Sequence, residues 1–350
     1  MEDFVFIDAL SGDAIGLTYA GGDATMQRGD GTLPACTSVF FPGCSFLNYA
    51  MPLVSAVYDT LVDAGQVDGI SVLCCGKILS YEPNGESVRA AFEEELCDAV
   101  AASGIQRFVC ACPNCVKALR EAFASDARTA HVEIAVLPHV LADLGYRLEK
   151  DTCALLVKGD ADAPVLFCTH DSCPDREYGD FARGLRALMP DELWKDPMHC
   201  RRRSICCGSL PRAAGKFEQA DRCADRNGQE ALEIGADAII TACVSCDFQL
   251  NIAQRHLPCV HYLEMLYAWR IDWRAAAGWM KLRFLFNGTL GALEKGAGER
   301  AFAGVGAPVG APPATIADTV VGEHEPELSE ADRLSASDAA LSNRNTCEMD

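Results

Sequence analysis

The sequence has few basic residues. Its 30 lysine and arginine residues face 50 aspartate and glutamate residues, so the formal net charge is −20. Proteins that bind duplex nucleic acids normally show the opposite balance, because much of their affinity comes from neutralising phosphates. The composition therefore argues against nucleic-acid binding. Residues 1–33 and 295–350 together carry −11 of this charge, so the acidity belongs more to the two ends than to the centre.

The sequence also lacks the features of secretion and of membrane insertion. Its first residues are acidic where a signal peptide carries basic ones, and no small-residue cleavage site follows an apolar core. The longest apolar candidate, residues 275–293, is interrupted by Lys281 and Arg283, so we expect no transmembrane segment. We therefore expect a cytoplasmic protein with reduced thiols, whose contact with a membrane would be peripheral and at its inner face.

Cysteine, in contrast, is abundant, with 19 residues in the chain. Ten of them form two matching series: Cys44, Cys74-Cys75-Gly76 and Cys112-x-x-Cys115, then Cys173, Cys206-Cys207-Gly208 and Cys243-x-x-Cys246. Matching positions are separated by 129, 132 and 131 residues. Two such series predict a duplicated module.

Short apolar runs alternate with helical stretches through both halves of the chain. Strands are predicted at 38–41, 70–73, 107–110, 132–137, 164–168 and 238–241, and helices at 51–63, 86–102, 113–124, 175–188, 216–234 and from Cys246 onwards. Strands that alternate with helices predict an α/β fold with parallel sheets. We expect two related modules, each a small parallel sheet flanked by helices, in a pseudo-twofold duplication.

The predicted organisation is an acidic leader (1–33), a first module (34–150), a second module (151–270), an amphipathic helix (271–294) and an acidic tail (295–350). The leader is interpreted as ill-ordered or as a short hairpin, and the tail as disordered. A stripe at helical spacing, Trp269, Trp273, Ala276 and Met280, predicts the amphipathic helix. We favour packing of this helix on the second module over docking to a membrane or to an acidic partner.

The cysteine pattern favours iron–sulfur clusters over zinc and over disulfides. Each Cys-x-x-Cys pair follows an apolar strand and begins a helix, where free N–H groups stabilise negative charge. Adjacent cysteines can bind one centre only at a turn, which Gly76 and Gly208 permit. Zinc sites use four ligands from closely spaced pairs, whereas the two Cys-x-x-Cys pairs here lie 127 residues apart.

The doubled pattern resembles the cysteine-rich CCG domain. That domain occurs twice in the cysteine-rich subunit of heterodisulfide reductase and in related iron–sulfur subunits of lactate, glycolate and anaerobic glycerol-3-phosphate oxidation. The flanking sequences Phe41-Pro42-Gly43-Cys44 and His170-Asp171-Ser172-Cys173-Pro174 are also similar to the family. The resemblance covers about residues 34–270 and implies two 4Fe–4S clusters, which in the reductase branch are noncubane clusters with five cysteine ligands. The implied ligands are Cys44, Cys74, Cys75, Cys112 and Cys115, and Cys173, Cys206, Cys207, Cys243 and Cys246.

The resemblance implies an oxidoreductase subunit that reduces a disulfide or a similar thiol-derived substrate. A ferredoxin-like run of four cysteines is absent, so we expect electrons to come from a ferredoxin-like iron–sulfur subunit or a flavoprotein subunit. One alternative is a non-catalytic relay between a flavin-dependent hydroxy-acid dehydrogenase and quinone, and another is an iron–sulfur sensor or binding protein. The sequence has no flavin or nucleotide fingerprint and identifies no substrate.

No catalytic residue follows from the sequence, but His170 is a candidate. It could donate a proton to a substrate thiolate near the second cluster, although we favour a structural role in the loop before Cys173. Cys36 and Cys168 compete with Cys44 and Cys173 as ligands. Cys110 and Cys168 are predicted to lie next to the clusters without binding them.

Overall fold

The computed structural model describes residues 2–19, 24–81 and 85–271. The predicted tail and the predicted amphipathic helix beyond its first residue lie outside the described residues. Trp269 and Arg270, at the start of the predicted stripe, follow the last described helix in non-helical backbone. Trp269 instead packs near the ring of Tyr19, with ring centroids 6.2 Å apart.

The leader contains antiparallel strands, in line with the hairpin alternative rather than the ill-ordered one. Strands β1 (Glu2–Ile7), β2 (Ala14–Tyr19) and β3 (Ala24–Gln27) form an antiparallel sheet in the order β1-β2-β3. The side chains of β1 point alternately to the two faces of the sheet, so that Val5 and Ile7 are exposed and Phe6 is buried. Ile15 and Leu17 of β2 join Phe6 in the main apolar core, so this sheet is part of the folded body.

The first module contains a four-stranded parallel sheet. Its strands are β4 (Ser38–Phe41), β5 (Gly69–Ile70), β6 (Arg107–Cys110) and β7 (Glu133–Val136), in the order β5-β4-β6-β7. The helices are α1 (Cys44–Tyr49), α2 (Met51–Asp63), α3 (Gly85–Ser103), α4 (Pro113–Ser125) and α5 (Leu137–Asp143), with a 3-10 turn at Lys77–Tyr81. Helix α6 (Lys150–Lys158) leads to the second module.

The second module repeats this architecture. Its strands are β8 (Phe167–His170), β9 (Trp194–Lys195), β10 (Ala238–Thr241) and β11 (Cys259–His261), all parallel and in the order β11-β10-β8-β9. Its helices are α7 (Asp180–Leu188), α8 (Ser209–Ala213), α9 (Phe217–Glu233), α10 (Val244–Ala253) and α11 (Tyr262–Leu266), with 3-10 turns at Cys173–Asp175, Asp191–Leu193 and Arg201–Arg203.

The two sheets have the same topology. In each module the first strand in the chain lies between the second and the third, and the fourth strand lies outside the third. The registers also match, because Phe41 pairs with Cys110 in the first sheet and His170 pairs with Thr241 in the second. The prediction of two related α/β modules with parallel sheets is therefore confirmed.

The strand predicted at 132–137 is shortened to Glu133–Val136, and two further strands differ from their predicted bounds for local reasons. The predicted strand at 70–73 ends at Ile70, because the next residues bind a carboxylate: Ser71 Oγ and Val72 N–H donate hydrogen bonds to Asp8. The strand predicted at 164–168 is shifted to Phe167–His170, and Leu166 N–H donates to the side chain of Asp237 rather than to a strand.

The modules pack against each other most extensively through α5 and α7, and also through the helices that carry the cysteines. Helix α1, which begins at Cys44, packs on α10, which carries Cys246. Helix α4, which carries Cys115, packs on the 3-10 turn that begins at Cys173. The cysteine loops of both modules therefore meet at the interface. Among the helices within residues 2–19, 24–81 and 85–271, none has the length and the apolar character needed to cross a membrane.

Candidate metal centre

The first set of cysteines lies where the first three strands of its sheet end. Cys44 begins α1 after β4, Cys74 and Cys75 follow β5, and Cys112 directly precedes α4 after β6, with Cys115 in the first turn of that helix. Because the carboxyl ends of parallel strands meet at one edge of a sheet, residues far apart in the chain meet here. The second set lies at the corresponding edge of the second sheet.

Glycines allow the loops to bring the thiols together. Gly43 has a φ of 84°, and a Cβ atom on it would lie 3.0 Å from Cys115 Sγ. Gly76 and Gly208 also have positive φ, and a Cβ atom there would collide with the Phe92 ring and with the Ala220 carbonyl oxygen respectively. The Cys-Cys-Gly turn predicted from the sequence is thus a steric requirement in both modules.

The same turns direct backbone N–H groups at sulfur atoms. Gly76 N–H donates to Cys74 Sγ at 3.4 Å, and Gly208 N–H donates to Cys206 Sγ at 3.3 Å. Ser209 N–H donates to Cys207 Sγ at 3.4 Å. Such donors favour the thiolate form, which is the form that binds metal ions.

Within each set the thiols lie close enough to share negative charge. Hydrogen bonds from the thiols of Cys115 and Cys74 lower the pKa of Cys75, and hydrogen bonds from Cys173 and Cys207 lower the pKa of Cys206. The Sγ atoms of Cys173 and Cys206 are 4.0 Å apart. A group of buried thiols in mutual contact is suited to a metal centre, because a bound cation stabilises several thiolates at once.

The two sets face one cavity of about 110 Å³. It is lined by nine of the ten predicted ligands: Cys44, Cys74, Cys75, Cys112, Cys115, Cys173, Cys207, Cys243 and Cys246. The tenth, Cys206, contacts the set through Cys173 and Cys207. The structure therefore groups the predicted ligands as two sets of five, one from each module, around a shared space.

The donor chemistry of both sets fits an iron–sulfur cluster. No carboxylate belongs to the described residues that line the cavity, and soft thiolates select iron–sulfur clusters, zinc or copper(I) over hard cations. Five thiols in each set exceed the four ligands of one tetrahedral zinc ion. Seven of the ten ligands are buried, and Cys44, Cys112 and Cys173 are partly exposed.

The remaining cysteines divide into neighbours of the site and distant ones. Cys36 lies beside Gly69, before β4 begins, and is therefore at the opposite end of the sheet from Cys44. Cys110 lies next to the first set, as predicted, because the charges of Cys112 and Cys75 act on its thiol. Burial, together with these charges, raises the pKa of Cys110. Cys168 is buried within β8.

Three residues near the site were not found by sequence reasoning. Cys259, on β11, lies near Cys207, but no spacing rule connects it with the repeat. Asn227, in the middle of α9, has no sequence signal at all. Lys77 does have one, since it directly follows Cys-Cys-Gly, and it is the cationic residue among the described residues that line the cavity.

His170 lies at the second set and makes a structural hydrogen bond. Its Nδ1 atom is 2.9 Å from Asn227 Oδ1, and its ring is buried. Burial lowers the pKa of His170, so the ring is neutral at pH 7. This hydrogen bond connects His170 to α9, so a structural role in the loop before Cys173 stays a prediction.

Comparison with known families agrees with this geometry. The model of the cysteine-rich CCG domain matches residues 38–120 and 167–251, which contain the two cysteine sets. The chain therefore contains two copies of the CCG cysteine-rich domain. The family resemblance seen in the sequence is therefore confirmed, and the two CCG domains with their clustered thiols indicate a metal-binding, redox-related iron–sulfur protein.

Other comparisons add little. No curated protein matches the chain. Among solved structures, the chain is similar to glutamate racemase isoform RacE1 from Bacillus anthracis, at 12% sequence identity over 67% of this chain and 79% of that one. The TM-score of that match is 0.31, which is too low to support a conclusion about fold or function.

Proposed function

We propose that this chain is the iron–sulfur subunit of a multi-subunit oxidoreductase. It would bind two 4Fe–4S clusters, one per CCG domain, and reduce a disulfide or a similar thiol-derived substrate, as in the cysteine-rich subunit of heterodisulfide reductase. The observation that carries the proposal is the shared cavity, because cysteines of both sets line it. Such clusters supply electrons one at a time, and reduction of a disulfide to two thiols consumes two electrons and two protons.

The side chains around the cavity support substrate binding there. Tyr49 and Phe248 stack at its wall, with ring centroids 5.2 Å apart and planes 10° from parallel. Lys77 lies half-buried beside Cys75, where it can pair with an anionic group of a ligand. Both modules contribute to this lining, so a small molecule in the cavity would lie between the two cysteine sets.

The five-cysteine sets favour the noncubane form of the cluster. A cubane 4Fe–4S cluster takes four cysteine ligands, and a fifth thiol in the same group would remain without iron. In the second module hydrogen bonds link all five thiols, in the order Cys173, Cys206, Cys207, Cys246 and Cys243. In the first module they link Cys74, Cys75, Cys115 and Cys112, and Cys44 is close enough for its charge to act on Cys75. Electrons would reach the clusters from a ferredoxin-like or flavoprotein subunit.

Spectroscopy on the full chain, purified without oxygen, tests this proposal. We expect about eight irons and a similar amount of sulfide per chain, four irons for each cluster. Paramagnetic resonance spectra should change when 3-mercaptopropionate is added and should not change with propionate, which has the carboxylate but no thiol. A chain that binds zinc without iron would overturn the cluster assignment. Normal cluster spectra without a thiol response would favour a relay from a hydroxy-acid dehydrogenase to quinone.

A further inference from the structure

The two ring nitrogens of His170 differ: Nδ1 makes a hydrogen bond to Asn227, and Nε2 makes none with the described residues. Its side chain is 4% exposed, and among the described residues Nε2 has no hydrogen-bond partner. A ring nitrogen of His170 and the sulfurs of Cys207 and Cys246 all lie within 4.8 Å of one another. Because Nδ1 binds Asn227, the nitrogen available to this group is Nε2. An unpaired buried nitrogen is costly unless it has a ligand to bind.

The hydrogen bonds of Asn227 determine which nitrogen carries the proton. The Asn227 amide group donates to the carbonyl oxygens of Cys206, at 3.1 Å, and of Cys223, at 2.8 Å. Its Oδ1 atom must then be the acceptor in the contact with His170, so Nδ1 is the protonated nitrogen. In a neutral ring Nε2 therefore presents its lone pair.

This arrangement is typical of a histidine that binds a metal. Such a histidine almost always donates its other N–H to a carbonyl, carboxylate or similar oxygen, which fixes the tautomer and the ring orientation. In His170 that acceptor is an amide oxygen, held by the backbone of the Cys206 loop. The ring and the cysteine loop are consequently fixed relative to each other before any metal binds.

We propose that His170 is a nitrogen ligand of the metal centre held by the second cysteine set. This inference rests on the proposed iron–sulfur function. Typical bonds to a metal are about 2.0–2.1 Å for histidine nitrogen and about 2.3 Å for cysteine sulfur, so two donors on one ion lie within about 4.4 Å. The three donor atoms lie within 4.8 Å of one another, a spacing that suits ligation of one ion or of neighbouring irons in one cluster.

The first set has no counterpart of this ligand. Phe41 is at the matching position of the first sheet, since it pairs with Cys110 as His170 pairs with Thr241. The two centres are then chemically different, one with thiolates alone and one with an added imidazole. The two centres should therefore differ in midpoint potential.

Pulsed paramagnetic resonance on the reduced full chain tests the inference directly. We compare protein with natural-abundance histidine and protein labelled with ¹⁵N-histidine. A strong nitrogen coupling that changes with the label is expected from a ligated imidazole. A spectrum with normal cluster signals but only weak, backbone-type couplings would overturn the inference and leave the iron–sulfur proposal intact. Absence of cluster signals would instead contradict the iron–sulfur proposal itself.

Variants assign the coupling to one residue. His170→Phe introduces the residue of the first module, and we expect it to lose the labelled coupling and to change one of the two midpoint potentials while the other stays the same. His256→Gln is the matched control, because His256 lies on the surface of the second module and pairs with Asp225. Persistence of the coupling in His170→Phe would overturn the assignment. If His170→Phe does not fold, the labelled wild-type chain still decides whether a histidine is a ligand.

Discussion

The side-chain oxygens of Ser45 and Ser245 lie 2.8 Å apart, although the residues are 200 positions apart in the chain. Ser45 directly follows Cys44, and Ser245 lies between Cys243 and Cys246. This hydrogen bond therefore joins the cysteine loops of the two modules, and both serines line the cavity between the two cysteine sets.

Loss of this hydrogen bond should weaken the interface between the modules. We expect Ser45→Ala and Ser245→Ala each to lower the free energy of unfolding by about 0.5–1.5 kcal/mol. Because both remove the same interaction, their effects should not add in the double variant. Anaerobic urea denaturation measures this. Ser45→Ala combined with Ser125→Ala, whose hydroxyl binds only a carbonyl in its own helix region, is the control and should be additive.

Removal of one thiol should affect the metal of its own set only. Cys75→Ala and Cys207→Ala occupy equivalent positions, and each should reduce the iron content by about half, because each cluster needs its own thiolates. Iron and sulfide analysis of the purified chain measures this. Cys153→Ala is the matched control, since Cys153 is fully buried in α6 and burial beside Glu149 raises its pKa to about 12. Loss of iron in that variant would contradict the assignment.

The sequence predicted the features that depend on local pattern and on repetition. The strands at 38–41, 107–110 and 238–241 and the helix at 51–63 have their predicted bounds, because apolar runs and prolines mark them clearly. The matched cysteine spacing predicted two sets of five thiols, and these sets lie together in space. Repetition is informative here because two copies must satisfy the same geometry.

The sequence could not predict features that depend on contacts between distant segments. Nothing near Asp8 indicates that its carboxylate binds Ser71 and Val72, 63 and 64 residues away. The leader was consequently interpreted as ill-ordered or as a short hairpin, although it forms a three-stranded sheet that contacts the first module through Asp8. Asn227 was missed for the same reason, since its role depends on Cys206 and His170, which approach it only in the folded chain.

Asp8 should make the stability of the protein depend on pH. Burial raises its pKa from 3.8 to about 6, so the folded state binds a proton more tightly than the unfolded state. The stabilisation by protonated Asp8 is therefore complete below about pH 4 and is lost as the pH rises through about 6. The shift corresponds to at most about 3 kcal/mol.

Comparison with Asp8→Asn isolates this effect. We expect the difference in free energy of unfolding, wild type minus variant, to decrease between about pH 4 and pH 6 and to be constant above pH 7. Asp175, whose pKa burial also raises to about 6, is present in both proteins and cancels in the difference. Anaerobic urea titrations at several pH values measure the difference. A difference independent of pH would show that Asp8 does not titrate in this range.

Lys77 should select anionic substrates. Its ammonium group is the cation among the described lining residues of the cavity, and the equivalent position in the second module is the neutral Ser209. We expect Lys77→Met to raise KM about fivefold to tenfold for the disulfide of 3-mercaptopropionate, because a charge-assisted contact in a half-buried site is worth about 1–1.4 kcal/mol. KM for the uncharged bis(2-hydroxyethyl) disulfide should not change. Steady-state rates with a reduced viologen dye as electron donor measure both KM values.

Lys117→Met is the control, because it removes a nearby charge that does not line the cavity. It should leave both KM values unaltered. Equal effects of Lys77→Met on the two disulfides would mean that Lys77 acts on the cluster rather than on the substrate.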